Sequence, residues 1–258
     1  MFLLQTPWSI DSLEAVDAAL QQAIRTRVNG GPTLALLPHS DGSEHDACSE
    51  KDVVSALAGL AKARAVYIGA SAYVRVDGEA VPRTVGLIIG PDGDVMARTA
   101  KVMPDFIEGY TDTAADTFQP ASFQIARTPL GQIGILCGED ILAPHVVRTM
   151  LVHGAEIILN PARERSDALF DSRTVARVAR AYENVVYVAV ASPNTATIDG
   201  ASVTLPQATA LYPPQGKAIS VRGAESYLSA DIDIEALRRR RVAPVLNFAS
   251  IVRMNLYA

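Results

Sequence analysis

Cys137 closes the apolar run Gly131-Gln-Ile-Gly-Ile-Leu-Cys-Gly-Glu-Asp140 at the point where it turns polar. A thiol at the carboxyl end of a buried strand is held rigidly yet can face a cleft, the place where layered α/β folds gather their ligands. As a thiolate it is an efficient nucleophile for acyl transfer. As a thiol it is a small buried hydrophobe, the commoner fate of a free cysteine. Two other apolar runs end in polar groups, Leu37-Pro38-His39 and Thr99-Ala100-Lys101. A lysine brought into a cleft beside a cysteine lowers the thiol pKa and can stabilise an oxyanion. The backbone N–H of Gly138 would be the second oxyanion donor. Beyond Lys101 a short loop brings back Glu108, which reads either as a surface acid or as a carboxylate that orients Lys101 or moves a proton.

The elements that must position these groups alternate along the chain. A short strand over Phe2–Gln5 precedes a helix from Asp11 to about residue 28, with Leu13, Val16, Leu20 and Ile24 on one stripe. Thr33–Leu37 is a continuous apolar run, as expected of a strand covered on both faces. Residues 51–63 read as a helix and Val66–Val74 as a strand. Val85–Ile89 and Val95–Ala100 flank the turn Gly90-Pro-Asp-Gly93 as a hairpin. Phe123–Ala126 and Ile133–Leu136 read as a second hairpin. His145–His153 and residues 167–184 read as helices, and Ala155–Asn160 and Val185–Ala191 as buried strands. Short strands are expected near Val203, Ala208–Leu211 and Tyr227–Ile232, followed by a basic turn at Arg238–Arg241. Hairpins among crossover helices imply mixed sheets in an α/β fold. With no linker or repeat in the sequence, one domain over residues 1–258 is the economical expectation.

Composition narrows the function classes. A net charge of −5 offers no basic face for nucleic acid or an anionic membrane, and no apolar stretch approaches a bilayer span. Two cysteines are too few for a disulfide framework, so the expected setting is a reducing cytoplasm. Neither a P-loop nor a G-x-G-x-x-G turn after a strand is present, which argues against nucleotide chemistry. The G-x-S-x-G elbow of a serine hydrolase is absent as well. No cofactor is expected. The loop His39-Ser-Asp-Gly-Ser-Glu-His-Asp46 lacks the spacing of a helical ligand pair and reads as a solvated loop rather than a metal site. Cys48 reads as a free thiol, His145 and His153 as packing or surface residues, and Arg238–Arg241 as a solvated helix end. Glu139 and Asp140 read as caps or backbone partners, and Arg173, Arg177 and Arg180 as candidates for ion pairs across a dimer.

Taken together, the segments resemble the nitrilase (carbon–nitrogen hydrolase) superfamily over nearly the whole chain. The resemblance is carried by the Leu-Pro strand end near residue 38, the Pro-Asp-Gly hairpin leading to Lys101, and the cysteine strand. Further matches are Arg148 ahead of Gly154-Ala-Glu-Ile-Ile-Leu-Asn-Pro161, Arg180-Ala-Tyr-Glu-Asn184, Gly200-Ala-Ser202, Asp231-Ile-Asp233 and Arg253–Tyr257. The resemblance implies a four-layer αββα sandwich with two mixed sheets that pairs into a homodimer or larger assembly. It also implies a Glu-Lys-Cys triad that cleaves small amides or nitriles through a thioester. Cys137 would be the nucleophile, Lys101 the oxyanion-stabilising cation and Glu108 the assisting acid. The family's general-base glutamate falls at Pro38-His39, where this chain has histidine. His39 can act as the base itself, Glu44 can fold back to replace it, or the chain has become a poorly active or non-catalytic binding dimer.

Overall fold

The computed structural model describes residues 1–27, 30–41, 47–79, 82–103, 123–198, 201–221 and 225–242. Glu44, Glu108 and the tail from residue 243 lie outside them. The first half contains strand β1 (Phe2–Leu4), helix α1 (Leu13–Arg25), β2 (Leu34–His39), β3 (Cys48–Ser49), α2 (Glu50–Arg64), β4 (Tyr67–Arg75), β5 (Arg83–Ile89) and β6 (Val95–Ala100). Next come β7 (Ala126–Thr128), β8 (Gly131–Ile135), α3 (Pro144–Val152), β9 (Ile157–Pro161), α4 (Phe170–Asn184) and β10 (Tyr187–Ala191). The chain continues through β11 (Thr195–Ile198), β12 (Ala201–Thr204), β13 (Ala210–Tyr212), β14 (Ile219–Ser220), β15 (Tyr227–Ser229) and α5 (Ile234–Val242).

These strands make two mixed sheets, ordered β15-β1-β2-β4-β5-β6 and β14-β13-β10-β9-β8-β7, and a separate β11–β12 ribbon. Parallel pairs lie at the centre, β1 with β2 and β2 with β4 in one sheet, β8 with β9 and β9 with β10 in the other, and the short β3 also pairs parallel with β4. Their residues show why the central strands are apolar throughout. In β2, Ala35 and Leu37 pack beneath Val16, Leu20, Val53 and Leu57 of α1 and α2. Its alternate residues Leu34 and Leu36 meet Ile135, Ile157 and Leu159 of the facing sheet. On the far side, Leu136, Ile158 and Val188 pack under Val146, Val147 and Met150 of α3 and Ala181 of α4. Helices, sheet, sheet and helices are thus stacked in four layers, αββα. No helix among the described residues is long and apolar enough to cross a membrane.

Several local expectations need correction. The strand expected at Phe123–Ala126 begins only at Ala126, and the strand expected near Val203 pairs with Thr195–Ile198 as a two-stranded ribbon. Arg238–Arg241 lies within a helix rather than a turn, and only part of it is solvated: Arg238 and Arg239 are exposed while Arg240 and Arg241 are half-buried. Arg238 grips Glu156, and Arg241 donates to the carbonyls of Val185 and Ala155. Arg173 and Arg177 turn inward, where both pair with buried Glu164; Arg180 pairs with Glu183 and donates to the Leu142 carbonyl. These arginines therefore pair within the chain, because the helix turns one flank toward the segment after β9 that carries Glu164.

Candidate active site

The carboxyl ends of the central strands of both sheets meet at one place. The His39 N–H donates to the Ala162 carbonyl at 3.2 Å, tying the end of β2 to the segment after β9. The register between β2 and β4 shifts between Leu36 and His39, where Pro38 lacks an N–H to donate. Trp8, fully buried, satisfies the Pro38 carbonyl by donating its indole N–H to it at 2.8 Å. The His39 ring is left half-buried with Nδ1 2.9 Å from Ser71 Oγ. Burial, then the nearby cations of Arg163 and Lys101, push its pKa down to about 4. His39 is therefore neutral at pH 7 and displaced from the neutral range that makes imidazole a ready base.

Cys137 follows β8 and begins the short 3-10 turn Gly138–Leu142. Its sulfur is fully buried between the sheets, 4.0 Å from the Thr99 carbonyl. Gly86 of β5 makes room for it, since a β-carbon there would stand 3.0 Å from the sulfur. Gly138 takes a left-handed backbone (φ +49°), which turns the chain directly after Cys137. Asn160, at the end of β9, pins both flanks of Cys137. Its Nδ2 donates to the carbonyls of Leu136 at 2.9 Å and Gly138 at 2.8 Å.

Lys101 leaves β6 after its N–H pairs with the Thr84 carbonyl. Its side chain lies along the Gly138 turn, Cε 3.6 Å and Nζ 4.0 Å from where a β-carbon on Gly138 would stand. Nζ is also 3.1 Å from the Glu139 carboxylate; the Lys101 side chain is 9% exposed and that of Glu139 36%. Asp140 fixes this approach. Its buried carboxylate accepts from the backbone N–H groups of Val102 and Met103, at 3.0 and 2.7 Å. Burial outweighs those bonds and raises the Asp140 pKa to about 6.

The structure thus brings Cys137, Gly138, Lys101 and His39 to one locus, while Glu108 and Glu44 fall outside the described residues. The reading of Asp140 as a backbone partner agrees with the coordinates; Glu139 instead pairs with Lys101. Ser71, Asn160 and Arg163, which pairs with Asp41 at 3.0 Å, were not singled out from the sequence. Asn160 carried the same signal as Cys137, a polar residue ending an apolar strand. Cys48 and Cys137 are not joined in a disulfide.

A buried sulfur after a strand, an ammonium beside the following peptide and a four-layer αββα frame are the features that the resemblance to the carbon–nitrogen hydrolases implies. The model of the carbon–nitrogen hydrolase family matches residues 11–242, and the chain belongs to that family. Among curated relatives, an omega-amidase from Xenopus tropicalis is 28% identical over 162 residues, covering 60% of this chain and 57% of the relative. An omega-amidase from Mus musculus is 24% identical over 86% of this chain and 85% of its own length. Among solved structures, Saccharomyces cerevisiae Nit3 superposes with a TM-score of 0.77 at 19% identity, covering 95% of this chain and 93% of that one. An amidase from Nesterenkonia sp. AN1, carrying acrylamide on its active-site cysteine, gives 0.71 at 22%, covering 93% and 95%. At these identities the structures share the fold.

Proposed function

We propose that the protein is an amidase-type carbon–nitrogen hydrolase that cleaves a small amide through a thioester on Cys137. The observation that carries this reading is the convergence of Lys101 on the Cys137–Gly138 turn from the opposite sheet. The omega-amidase relatives and the amidase fold neighbours support the substrate class.

The chemistry follows from the placement. The Cys137 thiolate, stabilised by the nearby ammonium, attacks the amide carbon, forming a C–S bond as the carbonyl electron pair moves onto oxygen. That oxygen is met by Lys101 Nζ and the Gly138 N–H. Collapse breaks the C–N bond, and the proton first held by sulfur ends on the departing nitrogen. Water then opens the thioester, releasing the acid and returning a proton to the thiol. His39, neutral and held by Ser71, lines the site as a polar wall. Ammonia release from a panel of small amides tests the reading. Turnover that disappears in Cys137→Ala while the melting temperature stays put supports it. Equal turnover in that variant removes it.

The working form is a homodimer in a reducing compartment. The dimer is supported by Val175, Val178 and Tyr182, which form an outward apolar stripe on α4 at 67%, 47% and 53% exposure. Size-exclusion chromatography with light scattering on wild type and Val178→Glu reads it out: a wild-type dimer dissociated by the variant is expected, and a wild-type monomer overturns it. The reducing compartment is supported by the presence of only two cysteines, which form no disulfide with each other.

A further inference from the structure

We infer that Glu139 is the carboxylate that works with Lys101 in this site, serving as the proton carrier where position 39 offers none; the inference rests on the amidase reading of Cys137. Two adjacent acids follow the nucleophile, and the structure gives them different tasks. Asp140 points inward and is committed to the backbone N–H groups of Val102 and Met103. Glu139 points to the rim and lies 3.1 Å from Lys101 Nζ, itself lying along the Gly138 turn. His39 is engaged by Ser71 and sits where Arg163 and Lys101 oppose a further positive charge. A proton moved onto Glu139 meets no such opposition, since it neutralises a carboxylate at a half-open rim.

The Cys137 S–H proton passes to Lys101 Nζ as Lys101 hands one of its own protons to Glu139, leaving thiolate, ammonium and a neutral glutamic acid. When the C–N bond breaks, the departing nitrogen takes that proton back through Lys101. In deacylation the attacking water gives its proton by the same route, and it returns to sulfur as the thioester opens. Glu139 acts through Lys101 and is a positioning and proton-carrying residue rather than one that touches substrate.

The test compares Glu139→Gln and Glu139→Asp with wild type in two assays. One is amide turnover across pH. The other is the rate of Cys137 alkylation by iodoacetamide across pH, followed by intact mass. Loss of the carboxylate leaves a more positive surrounding for the thiol, so in Glu139→Gln alkylation should extend to lower pH. Turnover should fall by about 100-fold for want of a proton carrier, with Glu139→Asp recovering part of it. A purely structural role would depress both rates together. That joint loss, or turnover within about threefold of wild type, overturns the inference. If wild type cleaves no amide, the amidase reading fails separately. Alkylation then decides for Glu139: a shifted profile supports its coupling to Cys137, and an unshifted one removes it.

Discussion

Gly86 and Cys137 share one space between the sheets, since a β-carbon on the glycine would stand 3.0 Å from the cysteine sulfur. Both belong to rigid elements, β5 on one side and the end of β8 on the other, so neither can yield cheaply. Gly86→Ala should displace the sulfur, slow Cys137 alkylation by at least ~10-fold and destabilise by about 1–3 kcal/mol through overpacking. Alkylation kinetics and urea unfolding check both effects. An unchanged alkylation rate would mean that the sulfur's placement does not depend on this contact.

His39→Glu places a carboxylate beside Lys101 and Arg163, within the reach now held by the Ser71 bond. We expect turnover to rise, because the natural site keeps a neutral imidazole there at pH 7. Abolished turnover would instead make the imidazole the working base. The natural enzyme's pH–rate profile should then carry a limb near 6.5, whereas a His39 pKa of about 4 puts none there.

His39 and Asp140 should also have opposite effects on stability between pH 4 and 6.5. The His39 pKa falls from 6.5 to about 4 on folding, so the unfolded chain binds more protons in this window and stability drops on acidification. The Asp140 pKa rises from 3.8 to about 6, so the folded chain binds more protons and stability drops on alkalinisation. Wild type should therefore show a shallow dependence through this range. Asp140→Asn should expose a stability that climbs with pH, and His39→Gln one that declines. Urea midpoints at several pH values measure the slopes; identical slopes in all three proteins would refute the pairing.

Buried Glu164 holds Arg173 and Arg177 together beneath α4. Glu164→Gln leaves Arg177 buried without its counter-charge and Arg173 with Asp167 alone, and we expect a loss of about 3–5 kcal/mol. Thermal or urea unfolding measures this. A loss below about 1 kcal/mol, typical of an exposed pair, would show that the cluster is solvated.

Much of the frame was legible because the core strands are apolar on both faces and stop at polar residues. Cys137, Lys101 and His39 each mark such a stop, and the fold brings all three stops together. The same rule applied to Ile157-Ile-Leu-Asn160 would have flagged Asn160, whose amide spans the Cys137 peptide flanks. The direction of α4 was not legible. Spacing shows that Arg173 and Arg177 share a flank, but only the packed sheet decides that this flank meets Glu164 rather than a second subunit. Nor could the sequence separate the tasks of Glu139 and Asp140. Adjacent acids in a turn look alike until Val102 and Met103 claim one of them.

The most direct test of the account is peptide-mapped mass spectrometry of acid-quenched protein incubated with small amides. We expect an acyl adduct on Cys137 that is released by hydroxylamine, is absent in Cys137→Ala and is strongly diminished in Lys101→Met. Folded wild-type protein that shows no adduct on Cys137 with any amide or thiol-reactive electrophile, or that is labelled on Cys48 alone, would contradict it.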